Sequence, residues 1–205
     1  GCGGESPEVT PNPPPDAQAV LERQLAAVQQ GESDAVDLSG IAVTDEDLAP
    51  LAAAGGVREF RFHRSCLTDR GLATVAKLDS LEVLVLGETR LTDAGAAHLA
   101  GLKQLRILNA PLTELTDAGL AHLARLPNLE LLRIGTPHVT GAGLASLADH
   151  PRLRQLILID VPLTDEAVET FRRMQHLESL YLFNTGLSQE AIGRLEEFVP
   201  HVHYD

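Results

Sequence analysis

A leucine returns every 24 residues through the middle of this chain, as Leu81, Leu105, Leu129, Leu153 and Leu177. The same step carries a hydroxyl residue through Thr44, Thr68, Thr92, Thr116, Thr140, Thr164 and Ser188. A fixed period between roughly 20 and 50 residues marks a stacked solenoid, and it outranks any element-by-element reading. One such unit is too small to close a core, so it must bury its leucines against the units before and after it.

The unit from Leu105 to Asn128 shows how each coil is built. Its front half follows the pattern L-x-x-L-x-L, here Leu105, Leu108 and Ala110, and in a later unit Leu177, Leu180 and Leu182. Alternation at the fourth and sixth positions predicts a short strand with one buried side. The back half changes to helical spacing, with Leu120, Leu123, Ala124 and Leu126 on one face. Thr116 is the expected N-cap, and Asp117 suits the positive end of the helix dipole. Gly119 costs about 1 kcal/mol against Ala in an isolated helix. Its return as Gly71, Gly95, Gly119 and Gly143 therefore predicts that a side chain there would strike the neighbouring backbone.

These residues resemble leucine-rich repeats. The runs Leu91 to Ala100 and Leu115 to Ala124, which read L-T-D-A-G-L-A-H-L-A with Ala96 in place of the second leucine, resemble the cysteine-containing subfamily and its bacterial relatives. The resemblance spans Ser33 to Pro200 as seven units of 24, with an eighth beginning at His201 to Asp205. It implies an α/β fold: a right-handed leucine-rich-repeat solenoid with parallel short strands on the concave face and helices on the convex face. The position often occupied by Asn or Cys in the family is here Ile41, Ser65, Thr89, Thr113, Pro137, Val161 and Thr185. Hydroxyls in four units can still bond to the loop backbone. Val161 and Pro137 cannot, which predicts a local irregularity near Pro137 and Pro162.

The unbroken register from Ser33 predicts a single elongated repeat domain, residues 33–205. Residues 1–15 form a Pro- and Gly-rich segment that cannot pack and is expected to be a disordered tether. Its opening, Gly1-Cys2-Gly3-Gly4, resembles the mature end of a bacterial lipoprotein and predicts lipidation of Cys2 and a lipid-anchored place in the cell envelope. The plain alternative is a disordered leader with an idle cysteine, on a cytoplasmic protein. Residues 16–32 predict a capping helix, with Asp16 as N-cap, Gly31 past its end, and Val20, Leu21, Leu25 and Val28 as an apolar stripe over the first coil.

A net charge of −13 and a pI near 4.9 count against nucleic acid, whose phosphates call for a basic stripe. No stretch approaches membrane-spanning length. The second position of each unit instead alternates in sign, as Asp34, Arg58, Glu82, Arg106, Glu130, Arg154 and Glu178. Strands stacked about 4.8 Å apart would set like charges against each other in such a column, so alternation gives every charge two opposite neighbours.

The other outward strand positions line the expected concave face. They are polar or basic in the first two units, including Asp37, Glu59, Arg61, His63 and Arg64, and apolar further on. Apolar residues there are not demanded by the architecture, and such a patch usually marks a contact site. The expected partner-binding residues are Arg61, His63, Val85, Ile107, Leu131, Arg133, Ile157, Ile159, Tyr181 and Phe183, with the two aromatics as anchors.

Catalytic, cofactor and metal residues are not expected. His98 and His122 repeat a consensus helix position, and His201, His203 and Asp205 share one strand face that could hold a stray divalent ion. Ser65 and Cys66 lack a recurring base and carboxylate, and the glycines form no phosphate loop. The sequence thus predicts a monomeric, non-enzymatic module that binds a protein or peptide on its concave face and meets a membrane only through a lipid anchor. Three rivals stand beside it: a cytoplasmic or secreted adaptor, a metal-binding or enzymatic protein using the histidine-rich tail, and a self-associating structural array.

Overall fold

The computed structural model describes residues 16–63, 67–87 and 89–205, and the side chain of His63 is not among what it describes. The expected tether and Cys2, and also Arg64, Ser65 and Cys66, lie outside those residues.

Eight strands form one sheet in strict sequence order. They are β1 (Ala35–Ser39), β2 (Glu59–His63), β3 (Val83–Gly87), β4 (Ile107–Ala110), β5 (Leu131–Gly135), β6 (Gln155–Ile159), β7 (Ser179–Phe183) and β8 (His201–Tyr204). All neighbours are parallel, and β1 through β7 pair in the repeat register, as Phe60 with Leu84 and Leu132 with Leu156. Between the strands run α2 (Asp69–Val75), α3 (Asp93–Leu99), α4 (Asp117–Leu123), α5 (Gly141–Leu144), α6 (Ala167–Arg173) and α7 (Gln189–Glu196). They follow α1 (Ala17–Gln29), and a 3-10 helix over Glu46–Ala53 takes the place of a helix in the first unit, where Pro50 denies the backbone a donor.

The fourth and sixth strand positions point into one continuous core. Val36, Phe60, Leu84, Leu108, Leu132, Leu156 and Leu180 form one fully buried column, and Leu38, Phe62, Leu86, Ala110, Ile134, Leu158 and Leu182 form the next. Full burial of one such leucine is worth about 1.5–3 kcal/mol, so the columns supply much of the cohesion between coils. An open parallel sheet covered by helices on one side, with a leucine-zipped core and a 24-residue step, is the leucine-rich-repeat solenoid.

The helices are joined from coil to coil by a carboxylate ladder. Thr68, Thr92, Thr116 and Thr140 each cap their own helix, accepting from the N–H two residues on. The hydroxyl then donates to the aspartate of the previous coil: Thr116 Oγ1 lies 2.6 Å from Asp93 Oδ2 and Thr140 Oγ1 lies 2.8 Å from Asp117 Oδ2. The backbone N–H of the same threonines reaches Oδ1 at 2.8 and 2.7 Å. Ser188 makes the same pair of bonds to Asp165, which hold that carboxyl below the usual aspartate range.

This ladder corrects the expectation for the helix glycines. A Cβ on Gly119 would collide first with Asp93 Oδ1, and one on Gly143 with Asp117 Oδ1. The obstacle is the neighbouring carboxylate rather than neighbouring backbone. Where the ladder loses its aspartate, at Gly141, the following coil has Ala167 in place of the glycine. The exception is Ala191, which follows Asp165; there Ser188 caps the N–H three residues on instead of two.

Three further expectations shift. Thr164 does not cap α6, whose N-cap Glu166 makes no side-chain cap bond. The main irregularity falls at Pro111 rather than Pro137, because the β3–β4 pairing stops at Asn109 while β5 and β6 pair through Gly135 and Ile159. Near Pro162 the strand pairing is unbroken through Ile159 and Phe183, and the left-handed backbone of Asp160 (φ 55°) recurs one unit on at Asn184 (φ 52°). Finally, β8 enters two residues early: Ser179 pairs with His201, where a full unit would place residue 203. A slip of two preserves side-chain alternation, so Val202 and Tyr204 remain on the core side.

At the first edge, α1 lies against β1 with Leu21, Leu25 and Val28 buried. Asp16 caps it, accepting from the N–H groups of Gln18 and Ala19. Gln24 does what a preceding strand would do, its Oε1 accepting from Asp37 N at 2.7 Å and its Nε2 donating to Asp37 O at 2.8 Å. One carboxamide thereby satisfies both backbone groups at the centre of an edge strand.

Candidate protein-binding face

The side of the sheet away from the helices is built from the third, fifth and seventh strand positions. Because side chains alternate along a strand, burying the leucines of one face forces these residues onto the other. The columns are continuous from strand to strand, and the fifth-position column runs Asp37, Arg61, Val85, Asn109, Arg133, Ile157, Tyr181 and His203.

The face changes character along its length. At the β1–β2 end Asp37, Ser39 and Arg61 are exposed, and Arg61 is held by Glu59 beside it. From β3 onward Val85, Ile107, Leu131, Ile157 and Ile159 are half-buried, neither sealed in the core nor fully in water. The band ends in a small aromatic cluster. Tyr181 stacks on His203 with ring centroids 4.4 Å apart, and Phe183 lies 6.4 Å from Tyr181. The sheet places nine of the ten sequence-selected residues on this side, and the tenth, His63, is in register between Ser39 and Gly87.

Arg133 and Asn109 are neighbours in the centre of the band. Arg133 Nε and Asn109 Oδ1 are both buried without a hydrogen-bond partner. Sequence reading selected Arg133 but passed over Asn109, whose polarity at an otherwise apolar position was the available signal. It also left out Leu112 from its selected residues. That side chain is 54% exposed, the most exposed large apolar residue among those described. Leu112 overhangs a cleft of about 350 Å³ at the C-terminal ends of β3 to β6, flanked by Thr136, Pro137 and the Arg90–Glu114 ion pair. The cleft follows from the break in pairing at Pro111, where the chain leaves the sheet early.

The edges of the solenoid are set by charge. Arg58 bonds Glu82 at 2.8 Å, Arg106 reaches Glu82 at 3.6 Å and Glu130 at 2.8 Å, and Arg154 pairs with Glu178. The bond to Arg106 holds Glu130 below the usual carboxylate range, and the same pair raises Arg106. These side chains are half exposed, so water and salt screen each pair and keep it weak. Their larger effect is to fix register.

Among the described residues no group of three His, Cys, Asp or Glu side chains could hold an ion. His203 is stacked on Tyr181, and Asp205 Oδ1 accepts from the N–H of Asn184. His98 is exposed on α3 and His122 is half exposed on α4. His150 is buried: Nδ1 accepts from Leu153 N at 3.1 Å, and Nε2 sits 2.7 Å from Leu126 O. Burial lowers its pKa, opposed by the bond to Leu126.

The fold defines this chain as a leucine-rich-repeat solenoid, and the solved structures that resemble it include two internalins. An internalin (inlF) from Listeria monocytogenes superposes with a TM-score of 0.63 at 21% identity, covering 83% of this chain and 47% of that one. The chain thus spans about half the length of that protein. Internalin C2 from the same organism superposes with a TM-score of 0.67 at 20% identity, covering 94% of each chain. At these identities the likeness concerns the fold. No family model matches the sequence, and no curated protein matches it. Among the described residues no helix is long and apolar enough to cross a membrane.

Proposed function

We propose that this chain is a non-enzymatic module that grips a protein or peptide on the open face of its sheet. The observation that carries the reading is the half-buried band from Val85 to Phe183. The core needs none of these side chains, because the opposite face of every strand already fills it. An apolar band left outside a completed core gains by association with a partner. Tyr181 and Phe183 are the proposed anchors, since large aromatics bury much area at little entropic cost. Val85, Ile107, Leu131, Ile157 and Ile159 provide the floor, and Arg61, His63 and Arg133 are its polar members.

In this proposal the module acts as a monomer. It is held at a bacterial cell envelope through lipid on Cys2, and α1 serves as the solenoid's N-terminal cap. The repeat sequence is most like the cysteine-containing type, as the L-T-D-A-G runs suggest. The test is a double change, Tyr181→Glu with Phe183→Glu. Both residues are half exposed, so circular dichroism and the unfolding midpoint should stay close to those of the parent. Capture of the partner from a solubilised membrane fraction should be lost. Undiminished capture by the folded double variant refutes the binding face.

A further inference from the structure

Arg133 is an unusual residue for its place. It stands on a half-buried apolar stretch of sheet, in register between Asn109 and Ile157, with Leu131 two residues earlier on the same strand face. Most arginines of the molecule are paired: Arg58, Arg61, Arg70, Arg90, Arg106, Arg154, Arg172, Arg173 and Arg194 all face a carboxylate within 4 Å. Arg133 has no carboxylate partner among the described residues, and its Nε is shut off from water with no acceptor.

The neighbouring Asn109 Oδ1 is equally shut off and lacks a donor. A buried polar atom left unpaired lowers the stability of the fold, and the chain bears this cost twice at one spot. The terminal guanidinium nitrogens of Arg133 are not shut off in this way, and a ligand that brings an acceptor to them gives the arginine the partner it lacks. The fork of an arginine fits a carboxylate in two parallel bonds.

The rest of the surface supports an acid as the guest. The whole chain carries −13, so an acidic partner would be repelled over most of the surface, whereas Arg133, without a carboxylate partner among the described residues, attracts it to the apolar band. Beyond Arg133 the column continues through Ile157 to Tyr181 and His203. With strands about 4.8 Å apart, Tyr181 lies roughly 10 Å from Arg133 along the column. An extended segment rising about 3.3 Å per residue covers that distance in two to three residues.

We propose that the open face recognises an extended protein segment in which an Asp or Glu side chain docks on Arg133. A large apolar residue two or three positions away rests on Ile157 and Tyr181. This rests on the reading that the open face is the binding surface, and it names what that surface binds.

The probe is a phage-displayed library of random twelve-residue peptides, selected on the purified full chain. Selected peptides are then measured by biolayer interferometry against the parent, Arg133→Met, Arg133→Lys, Tyr181→Glu and, as a control on the helix side, Arg125→Met. The proposal expects peptides carrying an acid two or three residues from a large apolar side chain. It expects Arg133→Met to weaken them about 10-fold or more, Arg133→Lys less, and Arg125→Met not at all. Unchanged circular dichroism of the variants separates this from misfolding. Peptides without an acid, or peptides that ignore Arg133→Met but are lost with Tyr181→Glu, overturn the acid anchor and leave the binding face standing. Peptides insensitive to both changes, or no enrichment at all, overturn the binding face as well.

Discussion

Replacing Gly119 by alanine probes how the coils are fastened to one another. By intrinsic propensity the change favours a helix by about 1 kcal/mol. In α4, however, the new methyl group would run into Asp93 Oδ1 and come within 2.6 Å of Leu115 Cδ2. The carboxylate cannot simply swing aside, because it accepts two bonds from Thr116, at 2.8 Å from N and 2.6 Å from Oγ1. Each such bond at a partly exposed site is worth around 1–1.5 kcal/mol, so giving up both costs about 2–3 kcal/mol. Gly119→Ala should therefore destabilise by about 1–2 kcal/mol in spite of its better propensity. In an Asp93→Gly background the bonds are already gone, and Gly119→Ala should recover most of the propensity gain. The chain already contains this pairing, with Gly141 followed by Ala167. Urea unfolding of the four proteins gives the double-mutant cycle, read as midpoint shifts at constant slope. A coupling of about 2 kcal/mol is expected. If Gly119→Ala alone stabilises, or the two changes add to within about 0.5 kcal/mol, the carboxylate ladder does not hold the coils together.

Two further outcomes follow from the core and from the buried His150. Leu108→Asp places an unpaired carboxylate in a fully buried column and should cost several kcal/mol, on the order of 3–5; a loss below about 1 kcal/mol in the urea midpoint would mean that the strand faces the other way. His150 is easier to deprotonate in the folded state than in the unfolded chain, because burial disfavours its charged form. Below the ordinary imidazole range the unfolded state therefore binds more protons, so stability falls with acidification, whereas above that range both states are neutral and the histidine contributes no slope. The urea midpoint should drop between pH 7 and pH 5, and His150→Asn should flatten that drop; equal pH profiles for parent and variant would show that the imidazole has no part in it.

How much of this could be read from the residues depends on distance along the chain. The strands and the leucine columns were legible because the period repeats them at a fixed offset, and the alternating charges at the second position already required neighbouring coils to lie in register. The capping threonines were legible too, since a cap is local. The aspartate ladder was not. Asp117 reads from sequence as a residue suited to its own helix dipole, and only the stacking reveals that it binds Thr140 of the next coil. The same blindness placed the wrong group opposite Gly119. Pro137 drew attention as a breaker, yet the pairing fails at Pro111, because what matters is whether the next strand keeps its partner and not the proline alone. The two-residue slip of β8 was invisible for a related reason: a shift of two leaves the pattern of polar and apolar residues unchanged. On the open face, sequence reading could mark which positions point outward but not which polar atoms among them lack partners, and Asn109 was missed for that reason.

The most direct test of a free binding face is a photocrosslinking residue placed in turn at Ile157, on the open side of the sheet, and at Ala118, exposed on the helix side. Each protein is irradiated in its native cells, and the adducts are resolved by mass. A discrete adduct from Ile157 with none from Ala118 is the predicted result. Adducts from Ala118 alone, or the same adducts from both sides, would contradict it.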